Sequence, residues 1–307
     1  MYKKIIKKTP LEYNYRLSTL FNSEIYFKRE DLQTVRSFKI RGAFNAIRKH
    51  VNQTKEISSI TTASAGNHAQ GVAHSCHTLQ IPCDIFVPYS TPKQKVDRIQ
   101  YFGKEYCTVH KFGETFDESL EKALHQSYQS ASKFIHPFDD KDVIEGQSTV
   151  GKEIFEEMKP DYIVGCIGGG GLMGGIQTVI NKNNINSSLI GVESYGADAM
   201  NQSLQNNKIM RIEKLNTFAD GAAVHEVGRK TFPLCKQLED IITIKNNELC
   251  HEMVNLYQNE GIIVEPAGAL SVAALKHISD KIEKKKVVCI ISGGNNDIMR
   301  YNEIIEK

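Results

Sequence analysis

No stretch of this sequence approaches the ~18 consecutive apolar residues that a membrane-spanning helix requires. The amino terminus, MYKKIIKKTP, has neither the long apolar segment nor the small-residue cleavage site of a secretory leader. A cytoplasmic location with no membrane partner is therefore expected. Tryptophan is absent, and so is any Cys-x-x-Cys pair among Cys76, Cys83, Cys107, Cys166, Cys235, Cys250 and Cys289. An odd, scattered set of thiols argues against a disulfide framework and against a zinc site. Cys166 in IVGCI and Cys289 in VVCII read instead as small buried hydrophobes. Charge bias is missing too. The 38 Lys plus Arg against 36 Asp plus Glu leave +2, too little for a whole-chain field that would gather nucleic acid or an acidic membrane. Lys3, Lys4, Lys7 and Lys8 read as a solvated amino-terminal face. Internal repeats, low-complexity tracts and long linkers are also lacking.

What is present is regular alternation. With 307 residues the chain can build one large core or two moderate ones. Short β-branched runs alternate with helical patterns, as parallel strands joined by crossover helices do. ISSITT (57–62) leads into AGNHAQGVAHSC, DIFVP (84–88) into TPKQKVDRIQYFG, and DYIVGCI (161–167) into GGGGLMGGIQTVI. SLIGVES (188–194) precedes another helical stretch, and VVCIISGG (287–294) is the last expected strand. Several runs end in Gly, Ser or Asn, at the carboxyl ends of strands, where open α/β sheets bind ligands. The charged helix at 114–131 and KIEKKK at 281–286 read as surface.

Five segments could carry chemistry. In Arg36-Ser37-Phe38-Lys39-Ile40-Arg41-Gly42-Ala43, apolar neighbours could desolvate Lys39 and favour the neutral amine that attacks an aldehyde. The alternative is a surface lysine on an amphipathic helix. In Ser64-Ala65-Gly66-Asn67-His68, small residues at a helix start leave N–H groups free for a carboxylate, or Ser64 and Asn67 serve only as local caps. His68 alone reads more readily as a packed histidine, and His74 with His77 lacks a third metal ligand. Gly168-Gly169-Gly170-Gly171-Leu172 has no side chains to block converging N–H groups, which suits a phosphate. The run fits neither a dinucleotide fingerprint nor a P-loop, and a tight packing turn is the other reading. Ser292-Gly293-Gly294-Asn295-Asn296-Asp297 and Glu265-Pro266-Ala267-Gly268-Ala269 are, taken singly, more often turns than sites.

In this order and spacing, the segments resemble the threonine dehydratase family of fold-type-II pyridoxal-phosphate enzymes. TPLEYNYRLS (9–18) and YFKREDLQTVRSFKIRGA (26–43) look like its opening. TASAGNHAQGVA (62–73), GCIGGGGLMGGI (165–176), FADGAAVHEVG (218–228), EPAGALSVAAL (265–275) and SGGNND (292–297) follow in register. The resemblance implies a two-lobed α/β fold of the tryptophan synthase β type, with mostly parallel twisted sheets flanked by helices. A large lobe would comprise 1–44 and 149–307, and a small lobe 45–148, with no carboxyl-terminal regulatory domain and hence no inhibition by isoleucine through one. It also implies roles. Lys39 would attach pyridoxal 5'-phosphate and move the Cα proton, with Phe38 beside the ring. Asn67 would hydrogen-bond the ring hydroxyl, and Gly168, Gly169, Gly170, Gly171 and Leu172 would hold the phosphate. Ser292 would face the ring nitrogen as a neutral partner, which restrains the electron sink and suits β-elimination. Ser64, Ala65, Gly66, Asn67 and His68 would take the substrate carboxylate.

The implied reaction converts L-threonine to 2-oxobutanoate and ammonia, and L-serine to pyruvate. The alternatives are another β-elimination or replacement, such as serine or 3-hydroxyaspartate dehydration, or a non-catalytic amino-acid-binding relative. A homodimer or homotetramer is the family habit. Two departures carry expectations. Racemases that resemble this family place a Ser where Ala65 stands, and a methyl group delivers no proton, so negligible racemisation is expected. Divalent-metal members pair a Glu and a carbonyl, matched by Glu193 and Ala197, with an Asp at the place of Ala199. Asp198 is one position off, so no metal site is expected.

Overall fold

The computed structural model describes residues 5–54 and 59–306. Lys3 and Lys4 of the basic cluster, and the first two residues of the strand expected at 57–62, lie outside the described residues. In chain order the strands are β1 (Leu11–Tyr13), β2 (Glu24–Arg29), β3 (Ile60–Ala63), β4 (Cys83–Val87), β5 (Cys107–Lys111), β6 (Lys133–Phe134), β7 (Tyr162–Cys166), β8 (Ser188–Ser194), β9 (Asp240–Ile244) and β10 (Lys286–Ile291).

The chain forms two compact units. One is Lys39–Gln147 with the short segment Ile5–Lys7. Its sheet runs β5-β4-β3-β6 with every pairing parallel. Helices join parallel strands because the chain must return to the same end of the sheet each time. All four residues of β3 are buried, as are Ile85, Phe86 and Val87 of β4. Both strands are rich in β-branched or apolar residues, which is why these segments could be found in the sequence. The charged helix settles at Phe116–Gln129, opened by a capping box between Thr115 and Glu118.

The other unit comprises Lys8–Phe38 and the chain from Ser148 onward. Its sheet runs β1-β2-β10-β7-β8-β9, antiparallel only between β1 and β2. The large apolar core lies here, with Val164, Ile190, Val287, Val288 and Ile290 among its fully buried strand residues. All seven cysteines are buried, and none forms a disulfide.

The division falls after Phe38 and after Gln147, where the sequence put it after residues 44 and 148. The helix Lys39–Gln53 explains the shift. It buries Ile40, Ala43, Phe44 and Ile47 within the first unit. A Cβ on Gly146 would come within 2.4 Å of the Arg41 carbonyl oxygen. Such close crossing by the helix Lys141–Gln147 ties the whole Lys39 helix to this unit. Arg41, itself fully buried, donates to the Lys7 carbonyl at 3.3 Å, which brings the amino-terminal segment along.

Candidate active site

In the unit built on β7, the strand ends at Cys166 and the helix Gly171–Asn183 begins five residues later, with Gly170 as its cap at φ 90°. Only glycine takes that conformation cheaply. A Cβ on Gly168 would lie 2.7 Å from the Ala222 carbonyl oxygen, and one on Gly170 would lie 2.9 Å from the Thr231 side chain. The packing reading of this run is therefore correct for Gly168 and Gly170, and it explains the block FADGAAVHEVG, whose Ala222 backs the loop. The cap residue is a glycine and brings no side chain to the helix amino terminus, so the leading N–H groups and the helix dipole suit a phosphate as well. Leu172 is buried just inside the helix.

At the end of β10 in the same unit, Ser292 is 2% exposed and its hydroxyl donates to the Ala267 carbonyl at 3.1 Å. Its carbonyl accepts the Phe38 N–H at 3.2 Å, and Ser37 bridges to Gly293. Phe38 is thus pinned to the strand end that carries Ser292. Lys39 is the next residue in the chain.

In the unit built on β3, Lys39 opens the helix Lys39–Gln53 and its Nζ lies 3.5 Å from the Pro137 carbonyl oxygen. Gly71 sets how near this helix comes to the helix Asn67–Leu79. A Cβ there would sit 3.2 Å from the Ile40 backbone and 3.3 Å from the Lys39 carbonyl carbon. Ser64 follows β3, and its Oγ accepts the Gly66 N–H at 3.2 Å, curling the loop before Asn67. The cap residue Gly66 brings no side chain to this helix, and space beside it is open. Asn67 is buried at its first position. The structure therefore brings Lys39, Asn67 and His68 together in one unit, and Phe38, the glycine run, Leu172 and Ser292 in the other.

His68 is 2% exposed, and its Nε2 meets the Ile135 carbonyl at 3.1 Å. Among the described residues no group meets its Nδ1. A ring nitrogen facing a carbonyl carries the proton, so Nδ1 is a bare acceptor. Burial, helped by the Lys39 charge, pushes the His68 pKa down from 6.5 to about 3. An imidazole so placed is neutral near pH 7 and cannot pair with a carboxylate by charge. Ile135 and Pro137 act here through main-chain carbonyls, so no side-chain pattern announced them.

The neutral imidazole has a measurable consequence. An unfolded histidine starts to bind protons near pH 6.5, whereas folded His68 waits until about 3. Its contribution to stability is present above 6.5 and is lost as pH falls through that window. The expected loss at pH 5 is about 2 kcal/mol. Urea titrations of the wild type and His68→Asn should show the gap between them moving by that amount in favour of the variant from pH 7.5 to pH 5. A gap independent of pH would contradict the neutral buried ring.

The family profile described as "Pyridoxal-phosphate dependent enzyme" matches residues 2–293. A biosynthetic L-threonine dehydratase of Halalkalibacterium halodurans is 46% identical over 308 residues, 99% of this chain and 74% of that protein. The chain belongs to the threonine dehydratase family of pyridoxal-phosphate-dependent enzymes. Among solved structures, the processed form of threonine deaminase isoform 2 from Solanum lycopersicum is 36% identical, with a TM-score of 0.92 over 98% of this chain and 88% of that one. Serine racemase from Dictyostelium discoideum is 35% identical, with a TM-score of 0.87 over 97% and 95%. Fold alone therefore does not separate elimination from racemisation, and the decision rests on side chains.

The residues present fit the family's cofactor. A helix start whose cap is a positive-φ glycine suits its phosphate, and the buried Ser292 hydroxyl, with lone pairs to spare and free rotation about Cβ–Oγ, suits its ring nitrogen. Glu193 is fully buried in β8. Its carboxylate accepts the Met200 and Asn201 N–H groups at 2.9 and 2.8 Å, capping the helix Ala199–Gln205. Burial pushes its pKa up to about 8 in spite of those two bonds.

Proposed function

We propose that this chain is a threonine ammonia-lyase, converting L-threonine to 2-oxobutanoate and ammonia and acting also on L-serine. The observation that carries this reading is the fixed sequence of buried groups around Lys39. Phe38 is hydrogen-bonded to the strand end bearing Ser292, and Lys39 itself opens a helix held close to that of Asn67. The names of the relatives support the same substrate.

In this reading the Lys39 amine would hold the cofactor covalently, and the same amine would take the proton from the substrate Cα. When bound, pyridoxal phosphate supplies the electron sink for the pair left on that carbon. The N–H groups of residues 168–171 hold the phosphate, and Asn67 donates its side-chain amide to the ring hydroxyl. Ser292 presents a neutral hydroxyl to the ring nitrogen. The glycine-capped helix start behind Ser64–His68 receives the substrate carboxylate through N–H groups, since neutral His68 brings no charge. Loss of the β-hydroxyl as water and hydrolysis of the resulting enamine complete the balance: threonine yields one 2-oxobutanoate and one ammonia.

Ala65 stands where racemisation would need a hydroxyl, and a methyl group delivers no proton. The test is a substrate panel on the cofactor-loaded protein. L-Threonine should release 2-oxobutanoate and ammonia in equal amounts, and L-serine should yield pyruvate with no D-serine. Turnover of 3-hydroxyaspartate alone, or of a sulfide acceptor in place of water loss, would transfer the chain to a different reaction on the same cofactor. No spectral change with any amino acid would make it a binding protein.

A further inference from the structure

The glycine run has a direction, and one side chain fixes it. Thr231 is fully buried, and its hydroxyl donates to the Gly169 carbonyl at 2.5 Å, with a longer contact of 3.2 Å to the Gly228 carbonyl. The Gly228 N–H reaches the same Gly169 oxygen at 3.3 Å. One residue on, the Gly170 carbonyl accepts the Gly174 N–H at 2.9 Å and faces the Cys235 thiol at 3.7 Å. Two successive carbonyls are therefore turned toward the segment 228–235 and into the helix. A peptide is planar and trans, so the N–H of each unit points opposite to its C=O. The Gly170 and Gly171 N–H groups must then point away from Thr231, side by side, as a concave donor pair for an anion.

We infer that Thr231 is a positioning residue for the phosphate-binding loop, turning the Gly169–Gly170 peptide so that its N–H faces the cofactor phosphate. This rests on the reading above, in which residues 168–171 take that phosphate. Thr231 never touches the cofactor. It acts through one peptide plane, held between its hydroxyl and a glycine that has no room for a Cβ on that side. Without the hydroxyl, Gly169 keeps the weaker, longer bond from Gly228, and its peptide can rotate. The donor pair then loses its convergence, while the aldehyde chemistry at Lys39 is left alone.

That difference supplies a test free of turnover. Apoprotein is titrated with pyridoxal phosphate and, separately, with pyridoxal, which carries the same aldehyde and ring but no phosphate. Thr231→Val should weaken pyridoxal phosphate binding about tenfold, as expected for one net hydrogen bond, and leave pyridoxal within about twofold. Thr231→Ser, which keeps the hydroxyl, should restore the phosphate-bearing ligand. Thr231→Ala serves as a second hydroxyl-free variant should the valine protein not fold, and melting curves report that. Equal weakening of both ligands would mean a merely structural role and would overturn the inference, as would a valine variant that binds like the wild type. If the wild type itself shows no preference for the phosphate-bearing ligand, the assignment of residues 168–171 fails first and takes Thr231 with it.

Discussion

Lys39→Ala is expected to lower threonine turnover by about four orders of magnitude or more, while the protein melts within a few degrees of the wild type. Two roles are lost at once, covalent attachment and proton transfer. Proton transfer alone is commonly worth about 10²–10⁴, and losing a covalent catalytic group costs up to about 10⁶. Stability should barely change. Lys39 is half-buried at the first position of its helix, alanine favours helix more than lysine does, and the contact with the Pro137 carbonyl is long at 3.5 Å. Release of 2-oxobutanoate measures the first quantity and thermal unfolding the second. A variant that keeps even a tenth of normal turnover would remove Lys39 from the mechanism. One that unfolds would instead assign it to the scaffold.

The elements legible in the sequence are those whose neighbours impose one simple pattern. The strand expected at 188–194 is found at Ser188–Ser194, and the one expected at 84–88 is found at Cys83–Val87, because each carries a buried apolar centre, Leu189, Ile190 and Val192 in one and Ile85, Phe86 and Val87 in the other. The strand expected at 287–294 stops at Ile291. Beyond it, Gly293 and Gly294 leave the sheet to bond Glu265 and Arg36, long-range partners that no local window contains. β2 went unanticipated because Lys28 interrupts it. That lysine is fully buried, bonded to the Thr9 carbonyl at 2.6 Å and paired with Glu153 at 2.8 Å. A charge in a strand reads as surface unless its partner is known. The same limit hid Thr231, whose bond to Gly169 spans 62 positions. The glycines themselves were visible because their meaning is local: missing side chains, positive φ, free N–H groups.

Gly268→Ala should be among the most damaging single-methyl changes in the chain. The sequence alone left EPAGA as a turn, and the structure shows why its glycine is required. A Cβ at Gly268 would sit 2.1 Å from the Gly293 carbonyl oxygen, a backbone atom with no rotamer to escape through. Gly293 cannot retreat easily. Its carbonyl accepts the Glu265 N–H at 3.2 Å, Ser37 bridges to it, and its own absent Cβ faces the Glu265 carboxylate. Relief therefore requires moving residues 292–294 as a body. Overpacking typically costs about 1–3 kcal/mol, and a clash against anchored backbone belongs at or above the top of that range. A fall in Tm of roughly 6 °C or more follows. The functional cost arrives by the same movement. Ser292 shifts with Gly293, Phe38 follows through its bond to the Ser292 carbonyl, and Lys39 is the next residue. Misplacement by about 1 Å can cost about 10²-fold in rate. Gly261→Ala is the contrast, because that glycine caps a helix at φ 66° with no atom within 4 Å of a new Cβ. It should lose about 1 kcal/mol to backbone strain and keep its turnover. If Gly268→Ala melts no lower than Gly261→Ala and turns threonine over normally, the close approach of 268 to 293 is not what sets Ser292 and Lys39 in place.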